Sequence, residues 1–333
     1  MTNGTTKTRR TFPAIALGGS AALLLGAALL GASRAAPEGA PPAFAFADPA
    51  FQRVWNRTDL PVASHQATRA WYWGPSAGST LNEIYDEGPG RIRRVQYFDK
   101  SRMEINNPSA DPNGPFYVTN GLLTVELVSG EIQFGDGRYV TNALNNPPGP
   151  ANIPLASDLD DANAPTYASF TKLANTHLGD HKAADRTHQA VAESVNHAGQ
   201  VTPAPDKASY SVSYKTFWPL TGHNIPNVFW DFLNAHGPVS DGAHTVDAQL
   251  SAPWFFTSGY PISEAYWARV KIAGAPHDVL IQLFERRVLT YIPDYAPAWK
   301  VQMGNIGLHY QQWRYPKGLG LPGPVPTVPA PAP

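Results

Sequence analysis

Val279-Leu-Ile-Gln-Leu-Phe284, Glu285-Arg-Arg287 and Val288-Leu-Thr-Tyr-Ile-Pro293 form two apolar runs around a three-residue polar break, with Val301-Gln-Met-Gly-Asn-Ile-Gly307 following. Apolar runs on either side of a short polar break predict a β-hairpin, and the Gly-bearing segment predicts a further structured strip beside it. An earlier stretch has the same form. Val95-Gln-Tyr-Phe98, Asp99-Lys-Ser101 and Arg102-Met-Glu-Ile-Asn106 repeat the order of run, break and run, and Val118-Thr-Asn-Gly121-Leu-Leu123 then parallels Val301-Gln-Met-Gly304-Asn-Ile306. The chain reads as two diverged copies of one α+β module.

Working outward, each hairpin is preceded by an apolar helix and an aromatic strip. Asp48-Pro49 supplies an N-cap and first helical residue, with Phe51, Val54 and Trp55 on one face, and the helix closes toward Pro61-Val62. Its counterpart is Asn224-Ile-Pro226 followed by Phe229, Phe232 and Leu233. Trp71-Tyr72-Trp73 precedes the first hairpin, and Trp254, Phe255, Tyr266 and Trp267 precede the second. The expected organisation is a signal peptide at 1–35, a spacer at 36–47, a first module at 48–142, a connecting region at 143–208, a second module at 209–315 and a disordered Pro-rich tail at 316–333. Within the connecting region, 165–178 has the start and spacing of a helix, and at the start of the second module Tyr210-Ser-Val-Ser-Tyr214 alternates like a strand. A three-residue hairpin loop would place Ser101 and Arg287 in the left-handed region.

Composition bounds the function. At 333 residues with 43% apolar side chains, the chain can fill about two cores, while 33 Pro and 28 Gly argue for short elements and many turns. Lys7, Arg9 and Arg10 precede an apolar run ending at Leu30, and Ser33-Arg34-Ala35 offers small residues for a cut before Ala36. This is a signal peptide, and Thr8-Arg9-Arg10-Thr11-Phe12 also resembles a twin-arginine motif, so either export route fits. An uncleaved segment would be the chain's one membrane attachment. Without the first 35 residues, 21 of the 25 basic residues face all 26 acidic ones, a balance of −5. No basic stripe for nucleic acid survives. With no cysteine, disulfides, thiolate metal sites and a cysteine nucleophile are excluded.

The candidate site residues are aromatic. Trp71, Tyr72, Trp73, Trp254, Tyr266 and Trp267 could stack on the apolar faces of sugars, or fill the core as such residues do in short-stranded modules. Strand alternation across 71–73 would send Tyr72 to the face opposite both tryptophans, leaving one side open. His177, His181 and Asp185 offer imidazole and carboxylate at one-turn spacing, which a zinc site needs, but Gly179 interrupts the helix that would align them. Asp158-Leu-Asp160-Asp161 has calcium-type oxygens without the Gly and distal Glu of an EF-hand loop. Glu83, Glu87, Glu104, Glu264 and Glu285 could in principle supply a glycosidase pair. No nucleophile elbow or phosphate-cradling loop occurs, and no cofactor is expected.

Gly259-Tyr-Pro261-Ile-Ser-Glu264, Gln282-Leu-Phe-Glu-Arg286 and Gly304-Asn-Ile-Gly307-Leu-His-Tyr310, with Thr221-Gly-His223 and Phe229-Trp-Asp-Phe232, resemble a module of uncharacterised secreted proteins of Chloroflexota over about 216–315. The first half resembles the N-terminal part of the same proteins. More distantly, the second half is similar to the LGFP cell-wall repeat, from which Tyr260 and Arg287 depart. That resemblance implies attachment to the cell envelope and supplies no catalytic residues. The expected function is therefore an exported, non-enzymatic surface protein binding envelope polysaccharide, peptidoglycan or a surface partner. An extracellular hydrolase of glycan or peptide, and a structural spacer or surface-layer component, are the alternatives.

Overall fold

A computed structural model describes residues 45–141, 149–177 and 181–316. The signal peptide, the spacer up to residue 44, the module boundary near Asn142 and the tail from residue 317 lie outside the described residues. The fold mixes helix and sheet, with several small sheets. No helix among the described residues is long and apolar enough to cross a membrane.

Helix α1 (Pro49–Ala63) starts as the sequence requires: the Asp48 side chain accepts from the Ala50 N–H, and Pro49 takes a position whose N–H would be unpaired anyway. Strands β1 (Ala77–Ile84), β2 (Ile92–Phe98), β3 (Ser101–Ile105) and β4 (Thr119–Asn120) form one antiparallel sheet in that order, followed by helix α2 (Leu123–Ser129). Strands β5 (Glu131–Gly135) and β6 (Arg138–Thr141) pair with each other. Then come β7 (Glu193–Val195), β8 (Val201–Pro203), the pair β9 (Tyr214–Trp218) and β10 (His223–Pro226), helix α3 (Asn227–Leu233), and the pair β11 (His236–Ser240) and β12 (Thr245–Gln249). Helix α4 (Phe255–Ser258) leads to β13 (Tyr266–Ile272), β14 (Ala275–Leu283), β15 (Val288–Tyr291) and β16 (Val301–Met303), and helix α5 (Ile306–Arg314) is the last element among the described residues. Strands β13 to β16 are antiparallel neighbours in chain order, and β7 joins their sheet in parallel beside β13.

Both hairpins close more tightly than the sequence suggests. Phe98 pairs with Ser101 around Asp99-Lys100, and the Phe284 N–H donates to the Arg287 carbonyl at 2.8 Å around Glu285-Arg286. With two residues in the turn rather than three, Ser101 and Arg287 belong to the strand ends, and neither has positive φ. The tips are held in matching ways. Lys100 N–H donates to Trp73 O at 3.0 Å, and Arg286 N–H donates to Ser258 O at 2.9 Å. The following glycines, Gly74 (φ +126) and Gly259 (φ +69), leave no room for a side chain: a Cβ would lie 3.0 Å from the Asp99 Cβ and 2.7 Å from the Glu285 Cβ, respectively.

Each tip is also covered by the other half's helix. Leu308 N–H, in the first turn of α5, donates to Asp99 O at 3.2 Å, while Val125 N–H, in the first turn of α2, lies 3.4 Å from Glu285 O. Both apolar cores draw on both halves. One joins Val95, Leu123 and Leu127 to Val279, Ile281 and Tyr310, and the other joins Phe51, Trp55, Trp73 and Met103 to Phe229, Trp267, Leu280 and Phe284.

Two local expectations fail for tertiary reasons. The helix expected over 165–178 is a single 3-10 turn, Tyr167–Phe170. Thr166 and Ser169 cap one another there, and the Asn175 N–H is drawn away to Ile262 O at 2.6 Å. The strand expected at 210–214 begins only at Tyr214, because Pro205–Tyr210 winds into a 3-10 helix ended by Ser211 at φ +55.

Candidate functional site

Gly259 and the second hairpin tip fix the course of residues 250–261. The Glu285 carboxylate accepts from Tyr260 N–H at 3.0 Å, and Arg286 Nη1 donates to Phe256 O at 2.8 Å, where Asn120 Nδ2 also donates at 3.1 Å. Ser251 Oγ lies 2.9 Å from Thr257 Oγ1 and closes the turn from inside. Glu285 and the base after it are thus structural anchors, spent on backbone groups rather than presented to a ligand.

What this anchored turn presents is a cluster of rings. Trp254 meets Trp218 (5.3 Å between centroids), Trp230 (5.4 Å), Phe255 (5.7 Å) and Tyr260 (5.9 Å), mostly edge to face, while Trp218 stacks on Tyr260 at 5.0 Å. All five rings are half-buried. Edge-to-face contacts hold the rings rigidly and leave part of each in water. Leu220, two residues beyond Trp218, is 68% exposed.

The same turn borders a groove of about 330 Å³ between α1 and residues 112–118. Ala252 and Phe256 line one wall, Tyr117 and Pro115 another, Trp73 sits within it, and Arg53 and Arg57 project from successive turns of α1. Phe116, 55% exposed, lies 6.4 Å from the Phe256 ring. Groove and ring cluster are therefore joined through residues 252–256. No lining residue is acidic.

The six aromatic candidates divide by burial. Trp254 is at the centre of the exposed cluster. Tyr72, Tyr266 and Trp267 are core residues, Trp267 with its indole N–H donating to Val191 O at 2.8 Å. Residues 71–73 are not a strand: the buried Asp59 carboxylate accepts the N–H groups of Tyr72, Trp73 and Gly74 at 3.0, 2.7 and 3.0 Å, folding the strip inward. Burial pushes the Asp59 carboxyl up, against the pull of these three donors. Trp73 is 1% exposed and Trp71 half-buried against Trp55. Trp218 and Trp230 join the cluster from other segments and Tyr260 from the end of the same turn, and no local pattern in the sequence marks them.

Titratable candidates are engaged elsewhere. His177 Nε2 lies 2.5 Å from Glu131 and its ring stacks on Tyr139, Asp185 accepts from Thr187, and His181 follows residues outside the description. No three His, Cys, Asp or Glu side chains among the described residues converge on a metal position. Asp158 accepts from Ala273 and Gly274 N–H, and Asp161 from Lys271 N–H, so the calcium-like acids clamp the β13–β14 turn. Glu83 and Glu104 lie fully buried with Glu126 against Arg93, Arg102 and Arg314, Glu264 is held by Arg186 and Asn224, and Glu87 accepts from Asp136 N–H. A second cavity of about 300 Å³ is lined by Lys100, Asp158, Thr290 and His309. Burial lowers Lys100 to about 8, and burial together with the Lys100 charge lowers His309 to about 4. Lys100 Nζ donates to Met303 O at 2.6 Å and Asn305 Oδ1 at 3.1 Å, which ties it to the start of α5.

No family model matches the chain, and no curated protein or solved structure is similar to it.

Proposed function

We propose that this chain is an exported, non-enzymatic protein of the cell surface that binds an envelope polymer, a polysaccharide or peptidoglycan, on the ring cluster around Trp254. One observation carries the reading: five half-buried rings held edge to face beside an open groove. Rings used only for packing are covered, as Trp267 is; rings left partly exposed keep apolar aromatic surface of the kind on which sugars stack. The basic and apolar N-terminal sequence supports export. The candidate glutamates Glu83, Glu264 and Glu285 are engaged by arginines and backbone N–H groups, which favours binding over cleavage by them.

The two halves are read here as diverged copies of one module. Matching two-residue turns, matching tip contacts at Trp73 and Ser258, and reciprocal bonds from the first turns of α5 and α2 support this. Co-sedimentation with isolated cell walls and insoluble polysaccharides tests the function. Trp254→Ala and Trp218→Ala should each weaken binding about three- to tenfold, whereas Trp299→Ala, a 37% exposed ring outside the cluster, should not. Equal binding by all three variants, or none by the unaltered chain, would overturn the reading.

A further inference from the structure

Among the surface arginines, Arg91, Arg94, Arg138 and Arg269 each face an aspartate. Arg53 and Arg57 do not: neither lies within ion-pair distance of a carboxylate among the described residues. Arg53 donates to Pro112 O, and Arg57 Nη2 donates to Gln249 O at 2.8 Å. Each guanidinium has five N–H groups, so a single carbonyl leaves most of its fork open. The nearby acids form no ion pair with either arginine. Asp111 accepts from Asn113 N–H at 2.9 Å, and Asp59 points inward to residues 72–74. Two like charges one helical turn apart, with no counter-charge in the groove they border, make an anion-complementary rim.

We infer that the groove takes a carboxylate-bearing sugar unit, so that the polymer bound is an acidic polysaccharide. This rests on the function proposed above. The two halves of the groove select the two halves of such a unit. Tyr117 and Phe256 offer apolar and aromatic surface to a ring, and the guanidinium forks of Arg53 and Arg57 match a planar carboxylate in two parallel bonds. A neutral sugar leaves both charges unanswered. A polyol phosphate answers the charges but brings no ring for the aromatic walls. At about 330 Å³ the groove is at the small end of the roughly 300–1,000 Å³ typical of ligand sites, which suits one or two saccharide units of a longer chain.

Calorimetry and affinity electrophoresis of the full chain with polygalacturonate, with the same polymer methyl-esterified, and with a glycerol-phosphate polymer test this. Polygalacturonate should bind about tenfold or more tighter than its ester, with affinity falling as salt rises. Arg53→Gln with Arg57→Gln should weaken the acidic polymer about ten- to a hundredfold, leave the ester unchanged and remove the salt dependence. Arg53→Lys with Arg57→Lys, which keeps charge but not the fork, should fall between. Because Arg57 also ties α1 to β12, the single exposed Arg53→Gln variant separates ligand loss from misfolding; it should show the same selective loss at an unchanged melting temperature. Equal binding of acid and ester, or tighter binding of the glycerol-phosphate polymer, would overturn this inference and leave the Trp254 reading standing. Failure of every polymer and of cell walls would remove both.

Discussion

The two hairpins share a backbone plan and differ in how they treat buried charge. Under the first, Arg102 contacts Glu83 (3.0 Å), Glu104 (2.6 Å) and Glu126 (3.3 Å), with Arg93 and Arg314 completing a cluster of three arginines and three glutamates. Under the second, Arg287 is fully buried, rests 4.8 Å over the Trp73 ring and reaches Asn120 Oδ1 at 3.4 Å, while its Nε and Nη1 meet no acceptor among the described residues. Burial opposes charge in both places. For Glu83 it is overcome by Arg102, Arg314 and Arg93, which hold that carboxyl down at about 2; for Arg287 it wins, aided by Arg286, and pulls the group to about 9. Equal burial therefore has opposite consequences. A charge that is answered becomes a specific bond, and one that is not becomes a standing cost.

Breaking the answered cluster should have the largest effect. Glu83→Gln removes the negative charge shared by three arginines and turns one of the oxygens they and the two tyrosines, Tyr97 and Tyr315, face into an N–H donor, and should cost about 3–5 kcal/mol in urea unfolding. A loss below about 1 kcal/mol would mean that the cluster is not energetically closed. The same group sets an acid dependence. Its folded pKa lies below the ordinary value of 4.5, so its contribution is present above about 4.5 and is lost as pH falls toward about 2. Glu126 has the opposite sign, since burial raises it. Unfolding midpoints followed across that window should therefore fall in the unaltered chain and flatten in Glu83→Gln.

The shared backbone plan predicts paired effects of intermediate size. Gly74→Ala and Gly259→Ala each place a Cβ at positive φ against a hairpin tip, and each should cost about 2 kcal/mol, Gly259→Ala more because its contact is closer. A neutral result at one and a large loss at the other would break the structural parallel between the halves.

The smallest effect should come from the unanswered charge. A guanidinium keeps its proton inside proteins, so the burial cost of Arg287 is carried by stability. Arg287→Met should leave stability unchanged or raise it by about 1 kcal/mol, the lost cation–π contact with Trp73 offsetting part of the gain. Destabilisation by more than that would show that the guanidinium is satisfied after all.

What the sequence made legible was local. Asp48-Pro49 announces α1, and alternating apolar runs around Asp99-Lys100 and Glu285-Arg286 announce both hairpins, because cap and turn chemistry acts over a few residues. Trp254 was visible as a site candidate, but its partners Trp218 and Trp230 come from other segments, and only tertiary folding brings them together. Tyr72 and Trp73 misled for the same reason: Asp59, on α1, takes their backbone N–H groups and turns the strip into the core. Arg53 and Arg57 look like ordinary helix-surface charges, and what distinguishes them is the absence of acid along the groove they border.

The exchange of helices across the hairpin tips also fixes an order of events during synthesis. Asp99 is made early, yet the N–H that meets its carbonyl belongs to Leu308, and Arg314, which closes the ionic cluster on Glu83, comes later still. The first hairpin can pair with itself as it emerges, but it stays uncapped and its glutamates stay under-neutralised until α5 has been made. A chain stopped before α5 would lose the cover of one hairpin and a cation from the buried ionic cluster in the same stroke.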